Sequence, residues 1–351
     1  MKAKNYLNHL YMSESKKEIS TKRRNDLDWM KLFAILCVIL YHAGIFSDSR
    51  MIGAFLSLGI PMFFAVNGYL MLSKKNELVY FIKKNIRVAS LIVFWGLVSS
   101  AIVMVCNGET LSLIDVVRHL VSLDCPHCHY LWFLCSIFSL NCICPIMCSF
   151  LHMKSTHTSK DSRNMYYLFA LFFFWVMLRQ FTWLFTFLTP WWGSFAVVYY
   201  IMGYIILGRE MFNYNKLVLV LIVILGCVFQ AVSSMMYNEG LLFGWITKIL
   251  LLVNRSDDGY GYWTIGIFVA VSMSLALFRH FDRPLPPVCS FMAKNTLGLY
   301  LVSGPINTAM LMLYPDIVKL NILFPLVVLL SSSIIVYIVK RTPLLCELLK
   351  I

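Results

Sequence analysis

Lys31 and His42 stand eleven residues apart in the first apolar stretch of the chain, Asp28-Trp-Met-Lys31-Leu-Phe-Ala-Ile-Leu-Cys-Val-Ile-Leu-Tyr-His42. Eleven helical steps of about 100° return to within about 20° of the starting direction and rise about 16 Å, so the two side chains share one helix face. A cation at one end of such a face can hold an anion, and an imidazole at the other end can take or give a proton. Asp28, three residues before Lys31 and at the positive end of the helix, can pair with it. An ionisable group inside a membrane-spanning helix is costly and therefore a functional candidate. Plainer roles stand beside these. Lys31 can snorkel to the inner headgroups, and His42 can be a hydrogen-bonded structural imidazole near the outer interface.

Other candidates follow the same logic. Lys84 and Arg87 lie three apart on one helix face, suited to phosphates at a membrane surface, although anchoring of a cytoplasmic helix end needs the same charges. Arg179 sits among Trp175, Phe181 and Trp183, where a structural or snorkelling role is favoured over a pocket-lining one. Asp257-Asp258-Gly-Tyr-Gly-Tyr262 has donors and acceptors for a sugar hydroxyl, yet a solvated turn is the simpler reading.

The elements that must position these residues are transmembrane helices. The 351 residues are 60% hydrophobic and 13% charged, against about 45–50% and about 25% in soluble domains. A spanning helix needs about 20 mostly apolar residues. Ten such runs occur, near 29–46, 52–72, 88–106, 130–150, 165–188, 193–208, 217–236, 263–278, 295–313 and 321–339, with a shorter one at 240–253. Cytoplasmic loops carry excess Lys and Arg. With the N-terminus inside and 240–253 re-entrant or interfacial, 23 basic residues fall in inner segments and five in outer ones. Lys31 and Arg179 then lie within helices. Counting 240–253 as a span would put Arg279, Arg283 and Lys294 outside.

The expected fold is therefore an all-α polytopic bundle of about ten transmembrane helices with both termini cytoplasmic. It has a polar head over 1–25, a membrane domain over 26–340 and a short tail over 341–351. The formal charge of +13 serves topology first, with anionic lipid headgroups or a polyphosphate ligand as secondary partners and no nucleic acid. Most of the eleven cysteines, among them Cys37, Cys135, Cys142, Cys144 and Cys227, lie in apolar runs and act as small hydrophobes.

The segment Asp28-x-x-Lys31-x10-His42 resembles the first helix of the acyltransferase 3 family of integral membrane O-acyltransferases, whose hallmark is Arg or Lys, ten residues, then His. Further segments follow in the family's order. Phe63-Phe64-Ala-Val-Asn67-Gly68-Tyr69-Leu70 resembles its helix-two segment, and Lys84-Asn-Ile-Arg87 its Arg-x-x-Arg pair. His129-Tyr-Leu131-Trp132-Phe133-Leu134 is similar to the opening of its helix four, and Asn295-Thr296-Leu-Gly298-Leu-Tyr300-Leu301 to its Thr-Phe-Gly-Ile-Tyr-Leu near the C-terminus. The ordered set spans roughly 26–340. There are departures: Lys31 stands where Arg is usual and lacks the bidentate fork, Asn67 stands for Ser, and Ser303 stands where many members place a His.

The resemblance implies a multi-pass protein of the cell membrane, in a bacterium the inner, cytoplasmic membrane. It implies O-acetylation or a related polysaccharide modification, with an acyl group moving from cytoplasmic acyl-CoA, acetyl-CoA above all, to a hydroxyl of a cell-surface glycan or glycolipid. On this reading Lys31, Lys84 and Arg87 hold the donor phosphates and His42 is the catalytic base or a covalent acyl carrier. Asp28, Asn67, Trp132 and Arg179 support, with Trp132 and the Trp191-Trp192 pair as stacking platforms for sugar rings. Neither a permanently bound cofactor nor a metal is expected. Cys125-Pro-His127-Cys128-His129 matches a haem-attachment pattern, but His129 already belongs to the helix-four segment and no axial partner is evident nearby. A transporter or flippase for a glycan or lipid-linked substrate is the rival class, with Lys31, His42 and Arg179 forming a path. No inverted repeat or pair of broken helices supports it.

Overall fold

The computed structural model describes residues 24–43, 49–73, 78–108, 114, 129–152, 193–208, 212–238, 264–320, 323–342 and 349. The helices among them are α1 (Asn25–His42), α2 (Arg50–Leu56), α3 (Gly59–Leu72), α4 (Leu78–Asn107), α5 (Trp132–His152), α6 (Gly193–Gly208), α7 (Lys216–Asn238), α8 (Ile265–Phe278), α9 (Pro287–Lys294), α10 (Thr296–Leu313) and α11 (Leu323–Arg341). Tight 3-10 turns cover His129–Leu131 and Pro315–Leu320, and no strand occurs among the described residues. A helix satisfies its backbone groups within one segment, which hydrocarbon surroundings demand.

Five helical segments among the described residues are long and apolar enough to cross a bilayer: Arg50–Leu72, Leu78–Asn107, Lys216–Ser234, Thr296–Leu313 and Leu323–Arg341. Shorter apolar helices run over Trp132–Cys148, Ala196–Gly208 and Ile265–Phe278. Large apolar side chains such as Ile86, Val93, Leu221, Leu225, Leu330 and Ile334 face outward, a surface that lipid, not water, would cover. The protein is a multi-pass, all-α membrane protein. α1 is 18 residues long but begins with Asp26, Asp28 and Lys31, so its apolar stretch is short.

Nine of the ten apolar runs coincide with helices, whereas 165–188 and the shorter run at 240–253 lie outside the described residues. The helix ends differ from the runs where charge and helicity part company. α1 starts at Asn25, because Asp26 and Asp28 in its first turn suit the helix N-terminus. α4 starts ten residues before its apolar run, at Leu78, carrying Lys83, Lys84 and Arg87 on helical backbone. The second run breaks at Ser57, whose hydroxyl donates to the Ala54 carbonyl at 2.7 Å. α9 was not expected; Pro287 opens it with a backbone angle already suited to a helix start.

α3 packs against α1, α5 and α6. It meets α6 where Gly68 lies on the Tyr200 backbone and Gly203 on the Ala65 backbone, a small-residue crossing of the kind that lets membrane helices approach closely. Gly226 of α7 and Gly266 of α8 oppose each other likewise in an antiparallel pair.

Hydrogen bonds gather several helix ends around the start of α1. Arg24 pairs with Asp26, donates to the Leu207 carbonyl at 3.2 Å and lies 4.7 Å over the Tyr69 ring. Asn25 and Trp29 donate to the carbonyls of Asp282 and Arg283 at 2.7 and 2.9 Å. At the start of α4, Lys84 Nζ lies 2.9 Å from Met71 Sδ near the end of α3. α1, α4, α7 and α10 leave this end of the bundle, and α3, α5, α6, α8 and α11 run toward it.

Candidate active site

At this end, a cavity of about 460 Å³ opens between α1, α3, α4, α5, α10 and α11. Five cationic side chains line it: Lys31, Lys84, Arg87, Lys294 and Lys340. Lys31 comes from the second turn of α1. Lys84 and Arg87 are half-buried and line the cavity from α4, while Lys83 is exposed. Lys294 ends α9 and Lys340 lies in the last turn of α11. The wall also has hydrogen-bonding groups. Asn67 lines it from α3, one residue from the Gly68 crossing, so the backbone approach of α6 fixes where that amide points. Asn295 donates through Nδ2 to the Phe291 carbonyl at 2.7 Å, while its buried Oδ1 has no hydrogen-bond partner among the described residues. Deeper in, Phe63, Val66, Leu70, Phe133 and Ile137 make the surface apolar. Such a cavity suits a polyanion carrying a long, less polar arm.

A second cavity of about 180 Å³ lies at the other end of α1. His42 lines it with Ser303, Asn307 and Thr308 of α10 and Val328 of α11. The imidazole is exposed to this space, next to the Tyr41 ring, whose plane stands at 90° to it. Asn307 Nδ2 donates to the His42 backbone carbonyl at 3.2 Å, and its buried Oδ1 is unpartnered among the described residues. The Ser303 hydroxyl donates to the Tyr300 carbonyl at 3.1 Å, which leaves its oxygen an acceptor. His42 can thus exchange a proton with a hydroxyl in this cavity while α10 amide and hydroxyl groups hold the rest of an acceptor.

The sequence-derived candidates fall into three groups. Lys31, Asn67, Lys84 and Arg87, drawn from three helices, meet in the basic cavity, and His42 occupies the second. Asp28 is buried in the first turn of α1. Trp132 packs on Phe64, ring centroids 6.1 Å apart, and lines neither cavity; its neighbour Phe133 lines the basic one. Arg179, Cys125, Cys128, Trp191, Trp192 and Asp257 lie outside the described residues.

The family model described as an acyltransferase domain, that of acyltransferase 3, matches residues 24–341. The chain belongs to the acyltransferase 3 family. It is thus an acyltransferase, transferring groups other than aminoacyl groups, set in a membrane helix bundle. Neither the curated proteins nor the solved structures compared with it gave a match.

Several lining residues of this acyltransferase escape sequence reasoning. Lys294 and Lys340 read there only as topological charge, because nothing adjacent in sequence shows that α9 and α11 bring them to Lys31. Asn307 and Thr308 lie two turns beyond the Tyr300 motif; the i, i+4 spacing of Ser303 and Asn307 was their only signal. Tyr300 belongs to a motif, yet its place between the two cavities emerges only from packing.

Proposed function

We propose that this acyltransferase moves an acyl group, acetyl in the simplest case, from cytoplasmic acyl-CoA to a hydroxyl of a cell-surface glycan or glycolipid. The observation that carries the reading is the pair of cavities at the two ends of α1, one lined by five cations and the other by His42. An acyl-CoA has matching parts: phosphates for Lys31, Lys84, Arg87, Lys294 and Lys340, and a slender pantetheine arm that carries the thioester along the bundle toward His42. The neutral imidazole takes the acceptor hydroxyl proton as the hydroxyl oxygen attacks the thioester carbon. The C–S bond then breaks, and the leaving thiolate takes the proton from the imidazolium. General-base assistance of this kind contributes about 10²–10⁴-fold. Acceptor binding falls to Ser303, Asn307 and Thr308.

The same reading places the basic cavity in the cytoplasm, with ten spans and both termini inside. The excess of Lys and Arg at that end of the bundle supports it, as do the helix directions. Purified protein incubated with radiolabelled acetyl-CoA and candidate glycans tests the proposal. Label should enter the glycan, and transport of an unmodified glycan without label transfer would overturn it.

A further inference from the structure

Among the described residues, Tyr300 alone lines both cavities. Its side chain is 4% exposed and its hydroxyl donates to the Tyr130 backbone carbonyl. Its ring is flanked by those of Phe133 and Tyr130, with centroids 5.3 and 6.0 Å away. Tyr130 is itself fixed. Its hydroxyl lies 2.6 Å from Ser99 Oγ on α4, and its ring covers Gly304 so closely that a Cβ there would come within 2.8 Å of it. α10 therefore presents one aromatic ring, held at its tip, between the cationic chamber and the imidazole chamber. Side chains bonded this way at both rim and tip do not yield freely to bulk.

We infer that Tyr300 is a specificity-determining residue that limits the acyl group reaching His42 to short chains. This rests on the donor reading above. The thioester carbon has to come within reach of an attacking hydroxyl at His42, so the acyl group must pass or lie against the Tyr300 ring. The chamber beyond holds about 180 Å³, and the acceptor's reacting hydroxyl has to share it. An acetyl group adds one methyl beyond the carbonyl, whereas a butanoyl group adds two further methylenes that meet the ring. One methylene in a shaped apolar site changes kcat/KM by about 10–200-fold. The Tyr300 hydroxyl takes no part in the chemistry; packing against the Phe133 and Tyr130 rings keeps the Tyr300 ring in the way, and the bond to Tyr130 adds a tether.

The test compares acetyl-CoA with butanoyl-CoA, each labelled in the acyl group, using full-length protein and membranes of the source cells as acceptor. Wild type should prefer acetyl. Tyr300→Ala removes the ring and should lower the acetyl-to-butanoyl ratio of kcat/KM at least about tenfold. Tyr300→Phe keeps the ring, loses only its tether, and should keep most of the ratio. A ring that merely supports the fold would lower both rates together and leave the ratio unchanged, which overturns the inference. If Tyr300→Ala does not yield folded protein, Tyr300→Leu serves: a ratio that falls supports the inference, and one that stays overturns it. Failure of the underlying reading shows differently, as no label transfer by wild type from either donor.

Discussion

In the proposed reaction His42 is the residue on which the chemistry turns, and its surroundings make its removal informative. Its imidazole is exposed, and the hydrogen bond from Asn307 reaches its backbone carbonyl, not the ring. His42→Ala should therefore leave thermal unfolding in detergent nearly unchanged while lowering turnover at least about 100-fold, the lower bound for a lost general base. Retention of a tenth of wild-type turnover would remove the base assignment. Lys31 presents the opposite case, since snorkelling and phosphate binding both call for a cation at that depth. Its position in the wall of the basic cavity favours the second. A phosphate contact at a half-exposed site contributes about 1 kcal/mol, about fivefold. Steady-state kinetics should show Lys31→Gln raising the donor KM by about that factor with the acceptor KM unmoved, and Lys31→Arg retaining most activity because charge persists. Lys294→Gln and Lys340→Gln should act on the donor KM in the same direction; an unchanged donor KM in all three would empty the cavity of its proposed role. Lys31 and His42 were legible because one helix carries both, and helical periodicity is a property of sequence. Lys294 and Lys340 were not, because their meeting with Lys31 depends on how three helices pack.

At the scale of elements, the site depends on close helix crossings. Asn67 lines the basic cavity beside the crossing where Gly68 lets the Tyr200 backbone approach, and Gly203 meets Ala65 in the same way. A methyl group added there strikes main-chain atoms, which cannot turn aside as a side-chain tip can. Gly203→Ala should cost about 1–3 kcal/mol, the usual penalty of overpacking, and should depress both folded yield and donor affinity. Gly208→Ala, one turn onward on α6, is the control: its added methyl would meet only the Tyr69 ring at 3.7 Å, an ordinary contact. Equal thermal stability of the two variants would show that the crossing is not tight. The resemblance to the family's helix-two segment covered Asn67-Gly68-Tyr69, but the partner Gly203 lies in a run with no motif. Hydropathy placed the helices and could not pair them. It also misplaced the start of α4, because a scale that penalises Lys83, Lys84 and Arg87 ends a span where the backbone stays helical.

For the molecule as a whole, the directions of the helices constrain how the chain crosses the bilayer. α5 and α6 both run toward the basic end. The ten-span proposal counts the apolar run at 165–188, which lies outside the described residues, as one crossing. α7 leaves the basic end and α8 returns to it as its antiparallel neighbour. The same proposal counts no crossing at 240–253, which also lies outside the described residues. The positive-inside distribution, which uses charge and no packing, leads to the same arrangement. Charge and helix packing are separate properties, since moving every Lys and Arg would leave the glycine crossing of α7 and α8 intact. Accessibility tags can test their agreement in intact cells. A thiol-reactive tag at Ser256, which lies outside the described residues, should label from the outside. A tag after Ile351, ten residues beyond the end of α11 at Arg341, should label only once the membrane is opened. Labelling of both from one side would mean that 240–253 crosses. The α7–α8 pairing or the cytoplasmic placement of the basic cavity would then have to be given up, and with the latter its access to acyl-CoA.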